Sequence, residues 1–418
     1  MGKKEYSLSY GKGKISFKID EKNVIATLLP VRVSSPEDET SLIEDALLNP
    51  IKSLPLPDIV SPEDRIVIIT SDVTRPTPSS KMLPLLLKQL KLAGVKQKNI
   101  TIVFALGIHR KHTTEEQKNL VGDRIYEDYR CIDHEKENCV DLGKTKTGIP
   151  VEIFKEVAAA DVRICMGNIE PHYFAGYTGG AKSIMPGVSS RQSVSSTHKL
   201  MLSAGSVAGK LEGNPTREAI DEVGKKVGID FILNVVLSPQ KKIIGAFAGD
   251  KTTAHRKGCE FADACFKVPI KEKVDVVIVG CGGYPKDINV YQAQKALDNA
   301  KYAVKEGGTI VLVAECKEGF GDNIFEQWML SSNSFRQPVE RIQKEFILGA
   351  HKAAAIGMLL EKAKVIMVSS LAPWKVEKLF FTPAKSVDEA IAMTLQEYGD
   401  DAGFYIVPSG GLILPSLK

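Results

Sequence analysis

Four absences narrow this sequence before any motif is read. No apolar run approaches the roughly 18–20 residues that a membrane-spanning helix needs. The start, MGKKEYSLSY, lacks the apolar core of a secretory signal, and Tyr6 stands where a myristoylation signal wants Ser or Thr. Both point to the cytoplasm. No basic run interleaved with aromatics marks a nucleic-acid face. The seven cysteines (131, 139, 165, 259, 265, 281, 316) are an odd number with no C-x-x-C pair. That argues against a disulfide framework and a thiolate zinc site, and leaves buried free thiols as the expectation.

What remains is an ordinary globular composition. Hydrophobic residues make up 43% and charged residues 25% of 418, with a formal charge of +4. A chain of that length exceeds one hydrophobic core, so two or more domains are expected.

Taken in order, residues 5–30 alternate as a half-buried hairpin does, with KISFKI placing Ile15, Phe17 and Ile19 on one face and NVIATLLP returning after a turn. Residues 36–53 read as a helix behind a Ser cap. RIVIITSD, NITIVFALG and AADVRICMG are apolar runs of the kind buried parallel strands show, each followed by a loop and, for the first two, a helix. FILNVVLSP and KKIIGAFAG pair as an edge hairpin. A new unit begins near 270 with VDVVIVGCGGYP, a long helix over 287–308, and the strands TIVLVAEC, KVIMVSSL and GFYIVPSG. Strands alternating with helices give an α/β fold with mostly parallel sheets. Ligands in such sheets sit past the carboxyl ends of strands, where Asp72, His109 and the 168–182 loop all fall.

The stretch CMGNIEPHYFAGYTGGAKSIMPGVSSRQSVSSTHKL (165–200) is too polar and too glycine-rich to be core. Gly176, Gly179, Gly180 and Gly187 are expected to let backbone approach a ligand. GYTGGAKS (176–183) nearly matches a P-loop, but Ala181 replaces the second glycine that lets amides wrap a phosphate. GCGGYP (280–285) sits where a dinucleotide loop would, with Pro285 in place of the third glycine. A nucleotide-dependent kinase or dehydrogenase is therefore a weaker alternative, and a non-catalytic binder a weaker one still.

His134 and His255, in charged surroundings, are expected to be structural or exposed. His109 and His172 follow apolar strands in loops that face ligand, which suits a reaction with two acid–base participants. His198, at the start of a helix THKLML, is a possible metal ligand but cannot hold a metal alone. Lys182 in a tight glycine loop suits a phosphate partner or a covalent anchor. Arg75 suits a carboxylate or phosphate, with Asp72 placed to orient it.

SDVTRP (71–76), ALGIHR (105–110), EPHYFAGYTGGAKSIMPG (170–187), His198 and GGYPKDINVYQAQK (282–295) together resemble the nickel-pincer lactate racemase family over nearly the whole chain. The resemblance implies racemisation or epimerisation of 2-hydroxy acids by hydride transfer, an isomerase activity. It implies two α/β domains, a cofactor-binding and catalytic one over 1–270 and a substrate-wall one over 271–418, with the active site in the cleft between them. It also implies nickel, held in a Ni(II)-pyridinium-3,5-bisthiocarboxylic acid mononucleotide, and cofactor-biosynthesis proteins as maturation partners.

By position, Lys182 would tether that cofactor through a thioamide and His198 would complete the nickel coordination, with Asp72, Gly176, Gly179 and Gly180 around it. His109 and His172 would be the two bases. Arg75 and Lys295 would hold the substrate carboxylate, with Tyr291 and Gln292 shaping the pocket. One departure bears on the substrate: lactate-specific members carry a bulky Trp near the position of His351, and a polar residue there suits malate, gluconate-type or longer 2-hydroxy acids as well as lactate. Arg191 is a further candidate carboxylate partner.

Overall fold

The computed structural model describes residues 2–31, 38–347 and 349–418. They form two compact units, one within 38–265 and the other made of 2–31 together with 266–418. The expected division into 1–270 and 271–418 therefore differs at the amino end. Val24–Thr27 pairs in parallel with Phe404–Val407 as an edge strand of the second unit's sheet. The N-terminal hairpin is also not the one expected. Gly13–Asp20 pairs with Lys3–Tyr10, and only then does NVIAT leave for the sheet.

The unit within 38–265 is built on six strands in the order 243–249, 231–237, 162–168, 66–71, 100–105, 130–133. The last five run parallel, and Ile243–Gly249 closes one edge antiparallel, as the FILNVVLSP/KKIIGAFAG pattern predicts. Ile66, Val67, Ile68, Ile69 and Thr70 are all buried, so both faces of this central strand are covered. Covering each aliphatic side chain contributes about 1.5–3 kcal/mol. Helix Ser79–Leu92 buries Met82, Leu83, Leu86, Leu87 and Leu90 on that sheet at helical spacing. From Ile66–Ser71 the chain steps to Ile100–Ala105 on one side and later to Val162–Asn168 on the other. The crevice where the order reverses lies beyond Ser71 and Asn168, which is the place such sheets bind ligands.

The second unit carries a six-stranded, fully parallel sheet in the order 382–384, 364–368, 304–313, 274–280, 404–407, 24–27. The helix expected over 287–308 spans only Val290–Ala300. Asn289 caps its start by accepting from Gln292 N at 3.0 Å, and the sheet recruits Val304 opposite Val274 before the glycines are reached. The helix expected over 36–53 runs Glu39–Leu48 under Asp38, which accepts from Thr40 N; its expected cap, Ser35, lies outside the described residues. The seven cysteines are free thiols, five of them buried. No helix among the described residues is long and apolar enough to cross a membrane.

Candidate active site

Three segments past strand ends build the site. The first leaves Ile66–Ser71. Asp72, 4% exposed, accepts from Thr74 Oγ1 at 2.7 Å, and Arg75 N closes a turn on Asp72 O at 3.1 Å. Burial pushes the Asp72 carboxyl up, but the bonds from His109 and Thr74 and the Arg75 charge outweigh it and hold it below the ordinary range. The expected orientation of Arg75 by Asp72 is thus backbone and field rather than a side-chain pair. The Asp72 side chain is spent on His109: Oδ2 stands 2.5 Å from Nδ1. With Nδ1–H donated there, the lone pair lies on Nε2.

The second segment leaves Ile100–Ala105. His109 N bonds Leu106 O and Gly107 N bonds Gly187 O, which ties this loop to the third segment. Its last histidine, His112, is sealed. Nδ1 lies 2.7 Å from Asp133 Oδ1, and Nε2 accepts from Val73 N at 3.2 Å.

The third segment follows Val162–Asn168. Pro171–His172 pairs with Gly176–Tyr177 in a two-residue ladder. Ala175 N donates to His172 Nδ1 at 3.3 Å, which puts the neutral ring's proton on Nε2, the tautomer opposite to that of His109. Phe174 packs edge-on to both His172 (4.7 Å) and His198 (5.3 Å). Lys182 rides a 3-10 turn, Gly180–Ser183, and is half-buried. A P-loop would instead run from strand through loop into an α-helix, so the near-match in GYTGGAKS does not carry that geometry. His198 closes the last turn of helix Arg191–Lys199 rather than opening a helix, and its Nδ1–H donates to Val194 O at 2.9 Å, which puts the lone pair on Nε2. Arg191, at the other end of that helix, is exposed.

The glycines are required by packing within the protein itself. A Cβ on Gly176 would stand 2.1 Å from Lys210 O, one on Gly179 within 2.9 Å of Ile169 and Asn234, and one on Gly180 2.8 Å from the His255 ring. The close approach is to the protein itself, and Gly180 N is already donated to Asn234 Oδ1 at 2.8 Å. His255 is buried and structural: Nε2–H donates to Thr178 O at 2.9 Å. His134 is buried too, and burial lowers it to about 4.

Electrostatics shows which groups converge. Burial pushes Lys182 well below the ordinary lysine range, and the Arg75 and Arg217 charges push it further, against Glu170 and Asp72. Burial does the same to His172, with Lys182, Arg75 and His198 adding to it. His198 is lowered to about 3 by burial first and by Lys182 next. Arg75, Lys182, His172 and His198 therefore lie close enough to act on one another, with His109 reaching His198 and the Asp72 and Glu170 carboxylates only partly offsetting the positive charge. Such a cluster suits an anionic ligand and favours the neutral forms of the two half-buried imidazoles and of the amine.

No group of three or more His, Cys, Asp or Glu among the described residues could hold a metal by protein ligands alone. A metal carried by an organic anion fits what is there: the His198 Nε2 lone pair, a lysine whose charged form is disfavoured, and the Arg75 and Arg217 charges.

The residues proposed on the second unit are placed there as follows. Tyr291, Gln292 and Lys295 lie on helix Val290–Ala300, and His351 opens helix His351–Leu360. Tyr291 and His351 meet edge to face at 6.4 Å. The sequence reading missed Lys352. It is 5% exposed, donates to Gln294 Oε1 at 2.7 Å and lies 4.9 Å over the Tyr291 ring. It also missed the Asp72–His109 pair and Arg217.

A two-unit, mostly parallel α/β enzyme with paired imidazoles at a switch point has clear counterparts. The sequence profile of the "Lactate racemase N-terminal domain" matches residues 10–209, and that of the "Lactate racemase C-terminal domain" matches 270–414. A lactate racemase of Thermoanaerobacterium thermosaccharolyticum is 34% identical over 417 residues, covering 96% of this chain and 97% of the relative. One of Lactiplantibacillus plantarum is 33% identical over 415 residues, with the same coverage. The solved structure of a lactate racemase apoprotein from T. thermosaccharolyticum superposes with a TM-score of 0.90 over 99% of this chain and 100% of that one. A crystal structure of a Thermotoga maritima protein, 19% identical with a TM-score of 0.65 over 93% of this chain, shares the fold. The protein is an isomerase of the racemase type. The chain belongs to the lactate racemase family.

Proposed function

We propose that this protein racemises or epimerises a 2-hydroxy acid, with lactate as the leading substrate and malate, gluconate-type or longer 2-hydroxy acids as alternatives. The observation that carries the reading is the joining of an Asp-backed His109, a desolvated His172 and a Lys182 whose ammonium form is disfavoured by burial and by the Arg75 and Arg217 charges.

Removing the Cα proton of a hydroxy acid is hard, because the adjacent carboxylate stabilises a carbanion poorly. The nickel-pincer nucleotide, when bound, would supply a hydride acceptor, so that the stereocentre can be lost without a carbanion. Lys182 is the residue proposed to anchor it, since a neutral amine can be acylated where an ammonium cannot. His198 would offer Nε2 to the metal, with Nδ1 fixed on Val194. Maturation then needs cofactor-biosynthesis proteins as partners.

Arg75 is proposed to hold the substrate carboxylate. His109 takes the hydroxyl proton at Nε2 while Asp72 keeps its Nδ1–H in place and steadies the imidazolium that forms. His172 is proposed as the second base, for the opposite enantiomer; taking a proton at Nε2 requires its proton to sit on Nδ1 first, with the bond from Ala175 N given up. Lys295, Tyr291, Gln292 and His351 are proposed for the substrate wall. The imidazole of His351 itself, with the Lys352 ammonium over Tyr291, supports a substrate substituent more polar than a methyl group.

The test is a racemisation screen of cofactor-loaded protein across lactate, malate, gluconate and longer 2-hydroxy acids in D2O, read by chiral separation and mass spectrometry. Interconversion of one acid with its C2 hydrogen retained is expected. Inversion of none, or inversion with full C2 deuteration, would overturn the proposal.

A further inference from the structure

Five consecutive carbonyls of the segment joining His172 to Lys182 are taken up from outside the segment, four of them by side chains. Phe174 O accepts from Asn214 Nδ2 at 3.0 Å and Ala175 O from Arg217 Nε at 3.1 Å. Gly176 O accepts from Gly209 N, Tyr177 O from Arg217 Nη2, and Thr178 O from His255 Nε2. Beyond its short ladder, the loop's carbonyls are thus held from outside, and what grips them helps to set its shape.

Arg217 supplies two of those bonds and is fully buried. Its third contact is Asp221 Oδ1 at 3.3 Å. Asp221 is shared: Arg256 also bonds it, and Arg256 Nη1 donates to His255 Nδ1 at 2.9 Å. Two guanidinium groups thus divide the Asp221 carboxylate, while a second carboxylate, Asp263, takes the Tyr177 hydroxyl of the same loop. Burying a guanidinium is costly, and a neutral amide could serve a carbonyl, so the charge itself needs a reason.

We propose that Arg217 is a positioning residue for the Lys182 loop: its fork fixes the 175–177 backbone between His172 and Lys182, and its charge helps draw an anionic ligand to that amine. The inference rests on the reading of Lys182 as the anchor. Its charge acts on Lys182 together with Arg75, against Glu170 and Asp72, and it also acts on His172. His172 and His198 are further titratable groups that feel the Lys182 charge. Asp221, Arg256 and His255 hold the fork in turn.

The experiment uses the full chain without cofactor. Lysines are trace-labelled with acetic anhydride between pH 6 and 10, and the Lys182 peptide is quantified against peptides of exposed lysines such as Lys14. Hydrogen exchange of the 175–180 amides is read in parallel. In the native chain Lys182 should label at neutral pH ahead of exposed lysines; if it does not, the anchor reading fails whatever Arg217 does. With that seen, R217M should move the Lys182 profile about one pH unit upward, roughly a tenfold slower reaction at pH 7. R217K should restore the profile but not the slow exchange of 175–180, since ammonium keeps the charge and loses the fork. A folded R217M with an unchanged profile overturns the charge role. A folded R217K with unchanged exchange overturns the positioning role, and that arm stands even if R217M fails to fold.

Discussion

His109 and His112 stand three residues apart, and each sets its Nδ1 against an aspartate, at 2.5 Å from Asp72 and 2.7 Å from Asp133. Their other nitrogens part company. The His112 side chain is 1% exposed and its Nε2 accepts from Val73 N, while the His109 side chain is 33% exposed and among the described residues nothing donates to its Nε2. The pairing alone does not make a base. What matters is whether the second nitrogen is consumed by the fold or left facing a ligand. His112 latches the backbone beside Asp72, so the buried pair positions the partner of the exposed one.

That contrast can be broken by substitution. The largest effect is expected at His109→Gln: racemisation by loaded protein should fall about a thousandfold while the melting temperature holds. A loss under tenfold would leave the two pairs without a functional difference. Asp72→Asn should cost about a hundredfold, because an amide oxygen can still take Nδ1–H but cannot steady an imidazolium. Its effect on stability is pH-dependent. The Asp72 carboxyl is held low in the fold, so its contribution is present above the ordinary carboxylate range and lost as pH falls through its folded value. The stability gap between the native chain and D72N should therefore close in acid.

His112→Asn should show the reverse profile. Breaking a buried, hydrogen-bonded pair is expected to cost about 3 kcal/mol in denaturant unfolding, with racemisation down no more than about tenfold. If His112→Asn abolishes turnover in a stable protein, the roles are inverted. The smallest effect concerns the apoprotein. His198 is lowered to about 3 from an ordinary value of 6.5, so the unfolded chain binds the extra proton first as pH falls. Stability should decline below about pH 6.5, and His198→Gln should flatten part of that decline in a thermal melt.

The difference between these histidines was only partly legible in the sequence. Apolar runs marked every strand of the first sheet that borders the site, because a strand buried on both faces must be apolar throughout, and the loops carrying Asp72, His109 and His172 followed from their ends. What each loop residue touches did not follow. Asp72 and His109 are 37 residues apart, and only the pairing of Ile66–Ser71 with Ile100–Ala105 brings them together. Arg217 lies in a charged helical stretch, TREAID, that reads as a solvated face, yet it is wholly buried against carbonyls 42 and 40 residues away. The glycines were legible as special positions but not as packing against Lys210, Asn234 and His255. The N-terminal hairpin misled because alternation reports one buried face and not the strand it pairs with.

The central claim, that this racemase-family chain works through an anchor at Lys182, is met most directly by mass. Active protein should be digested and the peptide containing Lys182 weighed. The account predicts a covalent increment on that lysine, lost in Lys182→Arg together with racemisation. Full racemase activity from protein whose Lys182 carries no added mass would contradict it.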